Sequence, residues 1–420
     1  MFRFFFRRVH RPPPPKPMRL KVEALEDRVV PATFNVNSLA DVLSPGAGLV
    51  TLRSAIQSAN TTAGPNSINL TVPGTYGIAL LGTAQEHDNA AGEFAYTGTS
   101  DLTIVNTSGG TVIVDGGGLN RVFDINPALA TTPFTVTFQG FTITDGMASP
   151  GDLDVGSGGG IRAQAAASVA LTDMVVENNY ATADGGGIAM ENPQASAPWM
   201  LTINSSLIND NHAGDSGGGV ETDGKGTVSI NAGTVVTNNT AANQGGGVWL
   251  GATADGVTSV TIVDPGNGFY VTAPTITFGA PQTPGGVTAT ATATIAAGVV
   301  NSVTITNPGS GYSAAPTVTF SPPPVGTTAT GTATLGINSS TSLTMTGTTV
   351  ADNRAITMLG GGIGNGGRGS VTITDCIIGN NFSGAAGGGF GDAANTGTLT
   401  VVNSSFFNNV AVTNPQKSEP

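Results

Sequence analysis

The 420-residue sequence predicts an all-β fold, a right-handed parallel β-helix with one small all-β module inserted into it. Three observations lead there. A unit made of an apolar-alternating strand, an Asn and a small residue two positions later recurs along the chain, its Asn falling at Asn179, Asn211, Asn239, Asn353, Asn381 and Asn409, and Gly-Gly-Gly-[Ile/Val/Phe] follows each of the first five. The spacing is 28 residues wherever no insertion intervenes, and the unit lacks the helix of a leucine-rich repeat. The 61 glycines follow no collagen period and sit among many Thr, Val and Asn, a turn-rich β composition. Each turn of chain then supplies about three short strands, and successive turns stack at the strand spacing of about 4.8 Å.

In chain order, residues 1–32 read as a disordered basic, Pro-rich leader. It holds eight of the fifteen Lys/Arg and the run Pro12 to Pro15, which no helix continues through. Its apolar stretch is too short and too interrupted by Arg for a membrane span or a secretory core. A β-helix is expected over 33–252, opened by one short amphipathic helix near 51–60 with Leu52, Ile56 and Ala59 on one side, suited to plug the open end of the first coil.

Aligning the coils on the shared Asn places Val176, Ile208, Val236, Val350, Ile378 and Phe406 in one apolar column, three positions before it. A second column, eight before, holds Leu171, Ile203, Met345, Ile373 and Val401, with Ile230 one step out of register. The Asn column reads as a structural ladder: Asn tolerates the left-handed backbone of a sharp corner, and stacked amides can hydrogen-bond along the axis. The Gly triplets supply positive φ and close packing.

Asn353 follows Asn239 by 114 positions, one period plus an excess that is itself duplicated. Val260-Thr-Ile-Val-Asp-Pro-Gly-Asn-Gly-Phe with Ala273-Pro-Thr-Ile-Thr-Phe returns as Val303-Thr-Ile-Thr-Asn-Pro-Gly-Ser-Gly-Tyr with Ala315-Pro-Thr-Val-Thr-Phe. Pro-Gly turns between Thr/Val/Ile runs predict β-hairpins, so 253–337 reads as a projecting module, 338–413 as the resumed β-helix and 414–420 as a disordered polar tail.

The coils resemble the polymorphic outer membrane protein repeat, which pairs a Gly-Gly-[Ala/Gly]-[Ile/Val] element with an aromatic or apolar residue followed by Asn. Thr51-Leu-Arg-Ser-Ala-Ile-Gln-Ser-Ala-Asn resembles the short N-terminal domain that opens many bacterial β-helix surface proteins, with Ser54 where Glu is usual. Leu25-Glu-Asp-Arg-Val-Val-Pro-Ala32 resembles a sorting motif of large bacterial surface and extracellular proteins, and the inserted unit resembles a β repeat of phage tail and bacterial surface proteins. These resemblances imply an extracellular or bacterial cell-surface location.

Charge narrows the partners. From residue 29 onward seven basic residues face 24 acidic ones, a net of −17, which argues against nucleic-acid binding and leaves a cation or a neutral glycan. The one cysteine, Cys376, lies in a strand and reads as core filling. Only three His occur (His10, His87, His212), none paired in sequence, so no metal site is predicted; Ca²⁺ between Asp152 and Asp154 is conceivable, and no other cofactor is implied.

The β-helix fold hosts pectate lyases, polygalacturonases and other polysaccharide enzymes, whose sites gather carboxylates and a cation on one strand face. The outward column Thr137, Ala170, Thr202, Ser229, Thr344, Thr372 and Thr400 carries no acid-base chemistry. The one constellation of catalytic type combines Asp184 and Asp215 before the Gly triplets with Arg162 and Glu221 after them; Trp249 at the matching position and nearby His212 are its binding candidates. Ordinary solvated surface explains the same residues. The expected function is therefore a non-enzymatic cell-surface or extracellular β-helix protein in adhesion or cell-envelope structure, with glycans or other envelope components as partners. The alternative is a polysaccharide lyase or glycoside hydrolase acting on an acidic or neutral glycan. No membrane barrel or sortase-type tail is expected after residue 412.

Overall fold

The computed structural model describes residues 31–80, 87–126, 132–149, 156–164, 166–191, 198–253, 255–267, 269–282, 286–309, 311–336, 339–393 and 397–412. The leader, most of the sorting motif and the tail at 414–420 lie outside these residues. The chain is a right-handed parallel β-helix. Among the described residues four parallel sheets of ten, nine, seven and eight strands run along the axis, and a full coil visits them in that order. One coil comprises Trp199–Asn204, Leu207–Asn209, His212–Ala213 and Val220–Thr222. The expected three strands per coil thus become four, because the two residues after each ladder Asn form a short sheet of their own.

Each coil turns at three left-handed corners, taken in this coil by Ser205 (φ 46°), Asp210 (φ 53°) and Gly217 (φ 68°). The left-handed residue at the ladder corner is not the ladder Asn but its predecessor: Asn178, Asp210, Asn238, Asp352, Asn380 and Asn408 all have positive φ. This frees the ladder Asn to point inward and stay buried. Asn239 shows the arrangement. Its backbone N–H and its Nδ2 both donate to Asn353 Oδ1 at 3.0 Å, and Nδ2 also donates to Ile208 O at 2.9 Å. The same pair of bonds links Asn179 to Asn211, Asn211 to Asn239, Asn353 to Asn381 and Asn381 to Asn409. The predicted ladder is therefore real, and its role is satisfaction of buried polar groups rather than a strained corner.

The glycines divide the work. The first of each triplet has positive φ, as at Gly185 and Gly217. The third lies against the ladder, where a Cβ at Gly219 would stand 2.6 Å from Gly247 O. Ile230 stands in register with Ile203 and Met345, so the expected slip is absent from the sheet. The extra residue is absorbed in the following corner, where Gly233 has φ 82°.

One continuous core fills the solenoid, from Val36 through Ile203 to Ile378, each fully buried. Cys376 belongs to it, with Sγ 3.1 Å from Thr374 O. The first coils are closed by a helix, Leu52–Thr61, which buries Leu52, Ala55, Ile56 and Ala59. Ser54 replaces the usual Glu without loss of the cap: its Oγ accepts from Thr51 N at 2.9 Å while its N–H donates to Thr51 Oγ1 at 3.1 Å. Beside it Arg53 is fully buried, holding Asp41 at 2.6 Å and Gly92 O at 2.7 Å, with its guanidinium 4.8 Å above the Phe94 ring.

The insertion leaves the solenoid between Val248–Leu250 of the eight-stranded sheet and Ser342–Thr346 of the ten-stranded sheet. Gly256–Asp264 pairs antiparallel with Thr330–Gly336, Ile276–Phe278 with Val318–Phe320 and Thr290–Ala296 with Val299–Asn307. These strands enclose a separate core containing Tyr270, Phe278, Val300, Tyr312 and Phe320. The internal duplication is visible in two tyrosines. Tyr312 Oη accepts from Ala289 N at 2.9 Å and donates to Gly279 O at 3.2 Å; Tyr270 Oη accepts from Ala329 N at 2.9 Å and donates to Ser321 O at 3.2 Å. Counting from the Pro-Gly turns aligns Tyr312 with Phe269, yet Phe269 is 51% exposed and the next residue fills the equivalent place.

Candidate functional site

The eight-stranded sheet carries the catalytic-type candidates. Its outward column runs Ala95, Asp124, Arg162, Ala189, Glu221, Trp249, Gly364, Gly391 by strand register. Arg162, Glu221 and Trp249 thus share one face, as their spacing predicts. The first Gly of each triplet folds back over this column: a Cβ at Gly217 would stand 2.5 Å from Glu221 Cβ, and one at Gly245 2.6 Å from Trp249 Cβ. That turn packs over the column and keeps Asp184 and Asp215, before the triplets, near enough to act on the Glu221 charge.

At the centre is Glu221, 3% exposed, whose Oε2 has no hydrogen-bond partner among the described residues. Burial, with Asp223, Asp184, Glu191 and Asp215 adding like charge, pushes its carboxyl well above the ordinary 4.5. Asp184 is raised by burial and by Asp215 and Glu191 to about 6, although Ser216 N donates to its Oδ1 at 2.9 Å. Asp215 is exposed and accepts from Asn243 Nδ2 at 2.6 Å. Next to Glu221, Trp249 lies over bare backbone: Cβ atoms at Gly364 and Gly366 would stand 2.6 and 2.5 Å from its indole carbons. This face therefore combines a buried carboxyl held above its ordinary range, neighbouring carboxylates and a half-buried aromatic plane.

Two candidates are placed elsewhere. Arg162 is 1% exposed and committed to Asp124, with Nε to Oδ1 at 2.9 Å and Nη2 to Oδ2 at 3.0 Å; Ala189 separates it from Glu221. It is a buried ion-pair member rather than an accessible cation for the acids. His212 lies on the seven-stranded sheet, its ring stacked on Tyr180 at 5.3 Å between centroids, away from the Glu221 column.

Sequence reading missed the partner network of Arg162. His87 Nδ1 lies 2.7 Å from Asp124 Oδ2 and 3.3 Å from Glu93 Oε1, and Arg121 Nη1 lies 3.9 Å from the same Asp124 oxygen. Hydrogen bonding to Asp124 and Glu93 raises His87 to about 9. Burial pushes the Asp124 carboxyl up, but Arg162, His87 and Arg121 outweigh it and hold it below the ordinary range. Ligand atoms of His87, Glu93 and Asp124 all lie within 4.8 Å of one another, the size of a metal site. Two guanidinium groups at Asp124 oppose a divalent cation there, so the chemistry is that of a charge network. Nothing in the sequence announces it, because its three segments, around 87–93, 121–124 and 162, meet only through coil stacking. The Ca²⁺ candidates Asp152 and Asp154 lie outside the described residues.

The ten-stranded sheet presents the opposite character. Strand register confirms one outward column running Thr33, Ser67, Thr103, Thr137, Ala170, Thr202, Ser229, Thr344, Thr372 and Thr400, without a charge.

The chain matches no family model, no curated protein and no solved structure. Among the described residues no helix is long and apolar enough to cross a membrane.

Proposed function

We propose that the protein is a non-enzymatic extracellular or cell-surface β-helix that serves adhesion or cell-envelope structure, presenting its ten-stranded sheet to neutral glycans. The observation that carries this reading is the uncharged column from Thr33 to Thr400, hydroxyls in every coil but that of Ala170, on a partly exposed face of a chain with formal net charge −12. Hydroxyls at strand spacing offer a donor and an acceptor each, the chemistry that meets sugar hydroxyls. The resemblance of the coils to the polymorphic outer membrane protein repeat, and of the leader to a bacterial sorting motif, supports the location. The test is binding to a glycan array and to insoluble polysaccharides, with Thr202→Lys and Thr344→Lys as variants. Binding that drops at least tenfold in the double variant is expected, about 1.4 kcal/mol or more; binding unchanged by both substitutions removes the sheet from the proposal.

A second reading rests on Glu221 and Trp249: a polysaccharide lyase or hydrolase using the outward column of the eight-stranded sheet. A carboxyl whose pKa is raised by burial is suited to donate a proton, and an aromatic plane takes the apolar face of a sugar ring. Release of reducing ends or unsaturated products, lost in Glu221→Gln and in Asp184→Asn, would establish it. No product from neutral or acidic polysaccharides leaves adhesion as the function.

A further inference from the structure

The ten-stranded sheet carries more than its central hydroxyl column. From Ala32–Val36 to Val371–Thr374, inward residues alternate with accessible ones, so side chains face outward in every coil. They fall into three columns side by side. The central one runs from Thr33 to Thr372. One flank holds Thr135, Ser168, Met200, Thr227 and Ser342, and the other holds Asn69, Thr172, Asn204, Thr346 and Thr374. Neither a charged nor an aromatic side chain stands among the outward residues of these strands. Each of the other three sheets carries charge in an outward column, as Glu177, Glu221 and Arg354 show.

The columns differ in how far their hydrogen bonds are already used. On the amide flank side chains bond each other along the axis, Asn69 Nδ2 donating to Asn35 Oδ1 at 2.9 Å and Asn231 Nδ2 to Asn204 Oδ1 at 2.7 Å. These bonds hold that edge of the face in order. In the central column the hydroxyls of Thr103, Thr137, Thr202, Ser229, Thr344 and Thr372 make no hydrogen bond to any described residue. Each keeps a donor and its acceptor lone pairs for a partner. Thr227, Thr344 and Ser370, in coils on either side of the insertion, are exposed, so the inserted module leaves the face open there.

We propose that this face takes an extended, neutral polysaccharide chain laid along the solenoid axis, successive sugars meeting successive coils. This rests on the neutral-glycan reading of the same sheet and names the form of the glycan. Three observations select it. The central column repeats at the strand spacing of about 4.8 Å over nine coils, a run of about 38 Å, and an extended chain of equatorially linked pyranose rings advances by close to one coil per ring. The face is uncharged on a chain of formal net charge −12, which favours a polymer without ionised groups over a uronate one. It is also open and without an aromatic platform, whereas a short sugar needs a concave site that encloses it. A single accessible hydroxyl contributes little, so affinity accrues only where many equivalent contacts form along one chain.

The experiment measures binding of the full chain to insoluble cellulose, chitin and mannan, each beside its own soluble disaccharide and hexasaccharide. The expected result is binding to at least one polymer, weaker binding of its hexasaccharide, and a disaccharide about 100-fold or more weaker than the polymer. Ala170→Thr fills the gap between Thr137 and Thr202 and should tighten polymer binding about two- to tenfold, the worth of one added hydrogen bond. Thr202→Lys, in the middle of the run, should weaken it about fivefold or more, and Thr33→Lys, in the first coil, less than about twofold. All three positions are solvent-accessible, so circular dichroism of the variants should match wild type. A disaccharide that binds as tightly as its polymer, Ala170→Thr without effect, or equal losses in the two Lys variants overturns the extended-chain mode and leaves a discrete neutral-glycan site. Absence of binding to every polymer and oligosaccharide removes the glycan reading as well.

Discussion

Asn239 and Asn238 are neighbours with the same side chain and opposite duties. Asn239 Oδ1 accepts two bonds from Asn211, and its own N–H and Nδ2 donate to Asn353, so Asn239→Ala strands buried donors and an acceptor at once. We expect it to cost about 3 kcal/mol or more in urea or thermal unfolding. Asn238 (φ 54°) occupies the left-handed region and its side chain makes only an exposed bond, Nδ2 to Asn209 Oδ1 at 2.9 Å, so Asn238→Gly should stay within about 1 kcal/mol of wild type. Equal losses in the two variants would contradict this division. Glu221 makes a prediction of opposite sign to an ordinary surface acid. Its folded-state pKa lies above the ordinary 4.5, so the neutral form is the one the fold prefers. Its contribution to stability is full below about pH 4.5 and is lost as pH rises toward the folded value. Glu221→Gln should therefore flatten the decline of melting temperature with rising pH; an unaltered profile would place the carboxyl in contact with water.

At the scale of elements, the capping helix behaves as a lid on an otherwise open core. Ile56 is 1% exposed and enters that core, so Ile56→Ala should cost about 2–5 kcal/mol, with hydrogen exchange showing the first coils opening before the rest. The loop bearing His87 is tied to the first sheets by Asp124. With His87 at about 9 against an ordinary 6.5, this tie is complete below about pH 6.5 and is lost as pH rises through 9. His87→Gln should abolish that part of the alkaline loss of stability and leave the Glu221 part in place. The cap and the ladder were readable because each depends on contacts repeated at a fixed period or within one helical turn. Leu52, Ile56 and Ala59 declare a face, and Ser54 still completes the cap because a hydroxyl at that position reaches the same N–H. The His87, Asp124 and Arg162 network was not readable: each residue stands alone in its own stretch, and only coil stacking brings 87, 124 and 162 together. For the same reason the spacing of Arg162 and Glu221 indicated a shared face but not that Arg162 is already neutralised by Asp124.

At the scale of the molecule, the chain holds two hydrophobic cores, one along the solenoid and one inside the insertion. The coil closes across the insertion, since Asn239 Nδ2 reaches Asn353 Oδ1 at 3.0 Å over a sequence gap of 114 residues. Replacing 254–337 by a short Gly/Ser linker should leave a folded solenoid with a single cooperative melt, whereas collapse of the solenoid on removal would show that the two cores depend on each other. The repeat period, the inward columns, the Asn ladder and the hydroxyl face were determined by sequence alone, because in a solenoid each coil contacts only its neighbours and a column in space is a period in sequence. Tertiary structure decided which residue of each corner adopts the left-handed backbone, and that the Glu221 carboxyl is buried with one oxygen unbonded beside Trp249. Those properties depend on what covers a side chain, and burial is a sum over the whole fold that no local period records.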